Sequence, residues 1–388
     1  MVPFLDGQTF AGDIALAVTR SVHLPTLRRV VGEHVNAAVG DPRVRRARRI
    51  LMAGSGDSLF AAVGLAHAFR RWSGAPTEAF TALELARYET ALLSSADLVV
   101  SISNSGNSSR AREMVRLAKE RGAPTIGVTG TLTGALAREA DRVVHRPVTE
   151  DIGLPAHYGR CLLNFAEYIA VLYALYALAL ALGVERSQIT PTMQAAQLAR
   201  IEEAIEAQAA IAERIEPAVA ELAASLTGID TIWAIGAGPS QGTAQYCAAK
   251  FHEQMPINGI SRDLEEWAHL EYFLTLEWGA RSVVLVIAAA GNSFDRAQEI
   301  VQGIGAAGGR AIALHCGSPA RFAGSFAHID LGFEIEEWLS PLIYHLPAQL
   351  LVLHMAARAG IAHIPLRRKD GGWLIAQGVV RDSTSGLT

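Results

Sequence analysis

The residues best suited to chemistry in this sequence are hydroxyls gathered at two short turns. "SISNSGNSSR" (Ser101 to Arg110) holds five serines, two asparagines and one glycine directly after the apolar run "ADLVV". "GSGDS" (Gly54 to Ser58) follows a second apolar run, "RILMA". A turn that opens a helix presents free backbone N–H groups and the positive end of the helix dipole. Hydroxyls add donors there without adding charge, and glycine lets the backbone come close to a ligand. The chemistry this suits is the grip of a phosphate, with Ser55, Ser58, Ser103, Asn104, Ser105 and Ser108 as donors and Gly54 and Gly106 as the points of close approach. Ser and Asn are also ordinary helix caps, but one cap needs one residue. Neither turn is a P-loop, and Leu59 stands where a dinucleotide fingerprint would carry its third glycine.

The elements that must position these turns occur twice. "ARRILMAGSGDSLFAA" (Ala47 to Ala62) resembles "IDTIWAIGAGPSQGTA" (Ile229 to Ala244), and the segment from Ala96 to Gly130 resembles that from Arg281 to Cys316. An offset of 182 relates Gly54 to Gly236, and one of 185 relates Gly106 to Gly291. Each copy reads as strand, glycine turn, amphipathic helix, glycine, strand. The strands "RILMA", "LVVSIS" and "TIGVT" are continuous apolar runs, as in parallel sheets covered on both faces. In "AREMVRLAKERG", Met114, Leu117 and Ala118 share a helix face and Gly122 ends it. The fold expected is α/β: two tandem domains, each a doubly wound parallel sheet in a three-layer α/β/α sandwich. Expected boundaries are a helical lead over 1–46, a first domain over 47–186, a helical linker over 187–226, a second domain over 227–364 and a tail over 365–388. The second copy has "AAAGNS" (Ala288 to Ser293) at the later turn, with alanines where the first has Ser103, Asn104 and Ser105. The scaffold therefore tolerates alanine, and a ligand explains the hydroxyls better than capping does.

"GSGDS", "SISNSGNS", the duplication and "EEWAHLEYF" together resemble the sugar isomerase (SIS) domain family over roughly residues 45–365. The resemblance is closest to the tandem branch, which holds the isomerase half of glucosamine-6-phosphate synthase, fructosamine deglycases and amino-sugar-phosphate deaminases. It implies a phosphorylated sugar as substrate, bound through the serines named above, and no cofactor or metal. Aldose–ketose chemistry needs a base that moves a proton between C1 and C2 and an acid that opens the ring. By resemblance Glu253 in "AAKFHEQM" is that base, with Lys250 three residues before it. His269 in "DLEEWAHLEY" is the ring-opening histidine, supplied by the partner of a homodimer whose site lies at the subunit interface. His157 falls where the family closes over the sugar, and Lys369 lies one place from the family's terminal lysine. His269 is followed by Leu270 and Glu271 where the family often has Gly-Pro, and the tail is closer to the deaminase branch.

Read without the family, Glu253 is equally a solvated helix-end carboxylate, His269 equally a core histidine, and His252 an outward-facing side chain. No glutaminase segment precedes the first copy, which disfavours amino-sugar synthesis. Isomerisation, with or without loss of the amine, is the expectation, and a non-catalytic sugar-phosphate-sensing protein is the alternative. The chain of 388 residues has a formal charge of −4 and one short basic cluster, "RVRRARR", so neither nucleic acid nor an acidic membrane surface is an expected partner. Three scattered cysteines and the absence of a signal-like start suit the cytoplasm. "LLNFAEYIAVLYALYALALALG" (Leu162 to Gly183) approaches membrane-spanning length. Asn164 and Glu167 interrupt it, and it reads as a buried interdomain or dimer helix.

Overall fold

Strands apolar on both faces must be covered on both faces, and among the described residues every strand pair is parallel. The computed structural model describes residues 11–149 and 159–361, together with 375, 376 and 380. The chain divides into two compact units. Over the described residues the first comprises 20–149 and 162–203, and the second includes 204–361.

The first unit holds β1 (Arg49–Gly54), β2 (Thr77–Thr81), β3 (Asp97–Ile102), β4 (Thr125–Thr129) and β5 (Arg142–His145), in the order β2-β1-β3-β4-β5. The central strands β3 and β4 are buried throughout, while the edge strands β2 and β5 alternate with solvent. Register runs from Arg49 opposite Asp97 to Ala53 opposite Ser101, so the two polar turns leave adjacent strands at the same edge. The chain winds from β1 to β2 on one side and then crosses to β3 on the other. That reversal opens a crevice at the carboxyl ends of β1 and β3, where ligands bind in open α/β sheets. Helix Ser109–Glu120 buries Met114, Val115 and Ala118, with Leu51, Ala53 and Val99 in the same cluster as Met114 and Ala118.

The membrane-length segment is an interior helix. Leu162–Glu185 has a mean hydropathy of 1.9, yet 94% of its most apolar window is buried. Within the same unit Tyr173 of this helix donates its hydroxyl to Glu202 at 3.0 Å, and Arg28 Nε donates to the same carboxylate at 2.8 Å.

The second unit repeats the winding. It holds β6 (Thr231–Gly236), β7 (Asn258–Asp263), β8 (Val283–Ala288), β9 (Arg310–His315) and β10 (Ala327–Asp330), in the order β10-β9-β8-β6-β7. Its core sets Trp233, Ile235, Val284 and Val286 with Phe294, Ala297 and Val301. The duplication reaches individual backbone angles. Gly56 has φ 58° and ψ −134°, and Gly238 has φ 56° and ψ −129°, a region only glycine enters freely. Gly54 and Gly236 are pressed in the same way: a Cβ on either would lie 2.6 Å from an atom of the serine four residues on, Ser58 or Ser240. In each case the carbonyl carbon of that serine would be 2.9 Å away, so a flexible side chain cannot simply move aside. Gly54→Ala and Gly236→Ala should therefore each destabilise the protein by about 1–3 kcal/mol, read as a lower urea midpoint. Unchanged midpoints would mean that these turns are looser than described.

Candidate functional site: a hydroxyl turn over a buried guanidinium

The backbone of the serine turn is fixed by its neighbours, which leaves its hydroxyls over. Ser103 N donates to Val128 O at 3.0 Å, and Gly106 N to Ser103 O at 3.2 Å. Gly106 adopts φ 64°, and a Cβ there would lie 3.1 Å from Thr129 Oγ1. The loop after β4 closes on the turn through Gly130 N to Asn104 O at 3.0 Å, Leu136 N to Gly106 O at 2.8 Å, and Ala135 N to Asn107 Oδ1 at 3.1 Å. Ser105 Oγ accepts from Asn107 N at 3.3 Å and keeps its own proton to give. Ser108 is the cap of helix Ser109–Glu120, yet its side chain makes no capping bond. Among the described residues the hydroxyls of Ser55, Ser58, Ser103 and Ser108 have no hydrogen-bond partner. Capping thus fails to account for them. Ser55 is exposed, Ser58 and Ser103 are buried at the rim, and the cap of helix Asp57–Ser73 is Gly56, which has no side chain to offer.

Beneath this turn lies a residue the sequence reading missed. Arg146, one position past the end of β5, is 2% exposed. Its Nη2 donates to Asn104 Oδ1 at 2.7 Å and its Nη1 to the backbone oxygen of Glu167 at 3.1 Å, while Nε has no partner. Burial lowers its pKa to about 10, still far above neutral pH, so the group stays charged. Among the described residues no carboxylate stands within ion-pair distance of it. Glu167 and Asp57 act on it electrostatically at longer range, but a buried charge without an ion-pair partner still costs free energy. A cation in that position favours an anion at the turn it supports. The signal available in sequence was only an arginine at the carboxyl end of a short apolar strand.

The second unit carries the titratable candidates. Lys250, fully buried on helix Pro239–Gln254, donates from Nζ to Glu253 Oε2 at 2.7 Å and lies 4.5 Å over the Tyr246 ring. Glu253 is 37% exposed, so one side of the carboxylate is anchored while the group still reaches solvent. His269 ends the short helix Leu264–His269, whose cap Asp263 accepts from Glu265 N at 2.9 Å. It is not a core histidine: its side chain is 70% exposed, with Nε2 at 3.2 Å from Glu265 Oε1. Glu265 is shared with Arg296 Nε at 2.7 Å. Leu270, Phe273, Leu274 and Leu276, just beyond His269, are exposed. His252 faces outward. His157 and Lys369 lie outside the described residues.

The segment from residue 43 to residue 181, which contains the whole first sheet and both turns, matches the SIS domain family model. It is an SIS domain. The chain is also 27% identical over 321 residues to the glutamine–fructose-6-phosphate aminotransferase (isomerizing) of Methanothermobacter thermautotrophicus, covering 82% of this chain and 50% of that protein. It spans about half the length of the curated relatives it matches. Its fold is similar to the C-terminal domain of glucosamine-fructose-6-phosphate aminotransferase from Francisella tularensis, with a TM-score of 0.72, 16% identity, and coverage of 89% of this chain and 96% of that one. Glucosamine-6-phosphate deaminase from Thermotoga maritima gives a TM-score of 0.61 at 18% identity, covering 88% and 96%. Two parallel five-stranded sheets with helices on their faces are the tandem SIS layout.

Near Lys250 in the second unit, His345 is fully buried, with its ring centroid 5.7 Å from that of Tyr246. Burial lowers its pKa from 6.5 to about 4. The folded state therefore holds a neutral ring where the unfolded chain takes up a proton. The stability this provides is complete above pH 6.5 and is lost as the pH falls towards 4, by about 3 kcal/mol. Urea titrations across this window should show a His345→Phe variant losing correspondingly less stability than the parent on acidification. Equal losses in the two proteins would place the acid sensitivity elsewhere.

Proposed function

We propose that this chain is a phosphosugar isomerase or deaminase. Its substrate is an amino-sugar 6-phosphate or fructosamine 6-phosphate, and its chemistry is proton transfer between C1 and C2. The observation that carries this reading is the SIS-domain turn, where unpartnered hydroxyls adjoin Asn104, held by a buried guanidinium that makes no ion pair among the described residues. A phosphate dianion answers both features, and charge-assisted hydrogen bonds to it are strong ones. Ser55, Ser58, Ser103, Ser105 and Ser108 donate to the phosphate, Gly54 and Gly106 let the backbone approach, and Asn104, held by Arg146, keeps the turn in shape. The similarity to isomerising aminotransferases and to a glucosamine-6-phosphate deaminase supports the same substrate class.

Glu253 acts as the base. On an open-chain 2-amino aldose it removes the proton from C2 while O1 gains one, giving an enolamine. It then returns its proton to C1, which leaves an iminium ion at C2. Water adds to that carbon and ammonia departs, yielding the ketose phosphate; without this last step the reaction is an isomerisation. Lys250 holds Glu253 in position. His269 protonates the ring oxygen to open the ring and works as a residue given to the partner of a homodimer. Its exposure and the apolar side chains beside it support that role. The unpaired cysteines Cys247 and Cys316 suit a reducing cytoplasm.

The test is a panel of hexosamine, fructosamine and ketose 6-phosphates, with ammonia and sugar phosphate both measured. Glu253→Gln should lower kcat at least about a hundredfold with little change in KM, as loss of a general base does. The double variant Ser103→Ala, Ser105→Ala should instead raise KM by roughly tenfold or more, since bonds to a charged group are being removed. Full turnover by Glu253→Gln, or no activity on any member of the panel, would overturn the reading.

A further inference from the structure

The second unit has the same crevice as the SIS domain, at the carboxyl ends of β6 and β8, and it is already filled. The turn from Ala289 to Ser293 leads into helix Phe294–Ala306, whose cap Ser293 makes no side-chain capping bond. In the place of a ligand stands a carboxylate from the chain itself. Glu337 Oε2 accepts from Asn292 N at 3.0 Å. The side chain lies directly on Gly291, where a Cβ would come within 2.3 Å of its carboxyl carbon. Its other oxygen is 4.0 Å from the Cβ position of Gly238, the glycine equivalent to Gly56. One carboxylate thus meets both turns of the crevice. Glu337 is 9% exposed and makes no ion pair among the described residues. The backbone N–H and the helix dipole are what offset its charge.

The two copies differ in charge at a matched position. Arg146 N donates to Thr129 O at 3.0 Å at the end of the first sheet, and Leu331 N donates to His315 O at 2.9 Å at the end of the second. An offset of 185 pairs Arg146 with Leu331, so the first copy has a buried cation where the second has a buried leucine.

We propose that Glu337 is an internal anion that closes an anion-binding turn in the second unit, and that removing it opens a site for a phosphate group. This rests on the geometry of the second unit and does not require the proposed function. The test measures inorganic phosphate by calorimetry and by thermal midpoint in a background carrying Ser103→Ala, Ser105→Ala and Ser108→Ala. Three proteins are compared: that background, the background with Glu337→Ala, and the background with Glu337→Gln, which keeps the side chain in place without its charge. Only Glu337→Ala should gain a phosphate site, and phosphate near a hundred times its dissociation constant should then raise the midpoint by about 5 °C or more. Bound phosphate in the unmodified background would refute the closure. The absence of an added site in Glu337→Ala, or an equal gain in Glu337→Gln, would refute the role given to the carboxylate. So would a Glu337→Ala protein that stays unfolded at saturating phosphate while Glu337→Gln folds. A separate titration of the parent without the serine substitutions reports on the SIS-domain turn alone, so failure there is not confused with failure here.

Discussion

A positive charge buried without an ion-pair partner among the described residues, with Glu167 and Asp57 acting on it only at longer range, is the constraint that marks the SIS domain. Arg146 gives its hydrogen bonds to an amide oxygen and a backbone oxygen, neither of which cancels a charge. A surface arginine would reach for solvent, but this one is anchored at the end of β5 beneath the Asn104 turn. The turn above it is built from groups that donate but carry no charge of their own. Such a combination is unfavourable when empty and favourable when a dianion arrives, which is the electrostatic requirement of a phosphate pocket. The winding order of the sheet fixes the place, because only the crevice between β1 and β3 brings two such turns to one edge.

The second unit shows the same scaffold with different groups at the same turns. Its strands, glycine angles and helix starts match the first copy. Ala288 and Ala290 stand where the first copy has Ser103 and Ser105, Leu331 stands where it has the buried Arg146, and a glutamate from the chain sits at the turn. An uncapped helix start inside a crevice still needs its N–H groups satisfied. The chain's own carboxylate accepts from one N–H of that turn, Asn292 N, two residues before the helix begins.

Much of this was legible in the sequence, for physical reasons. The runs "LVVSIS" and "TIGVT" announced strands buried on both faces, and the structure has them as β3 and β4 at the centre of a parallel sheet. The serine turn stood out because capping uses one side chain and this turn offers several. Arg146 and Glu337 were not legible, since what matters in each is a contact with a residue more than forty positions away. The apolar stretch from Leu162 was ambiguous because hydropathy measures what a helix prefers to avoid, and both a membrane and a protein interior satisfy it. His269 was singled out only through the family resemblance and read otherwise as a core histidine, because its exposure depends on how its helix packs.

The most direct measurement is the crystal structure of the protein soaked with a hexosamine 6-phosphate. The account predicts phosphate oxygens within hydrogen-bond distance of Ser103, Ser105 and Ser108, with Arg146 unmoved beneath Asn104. An empty turn, or a phosphate seated against Gly291 with Glu337 displaced, would contradict it.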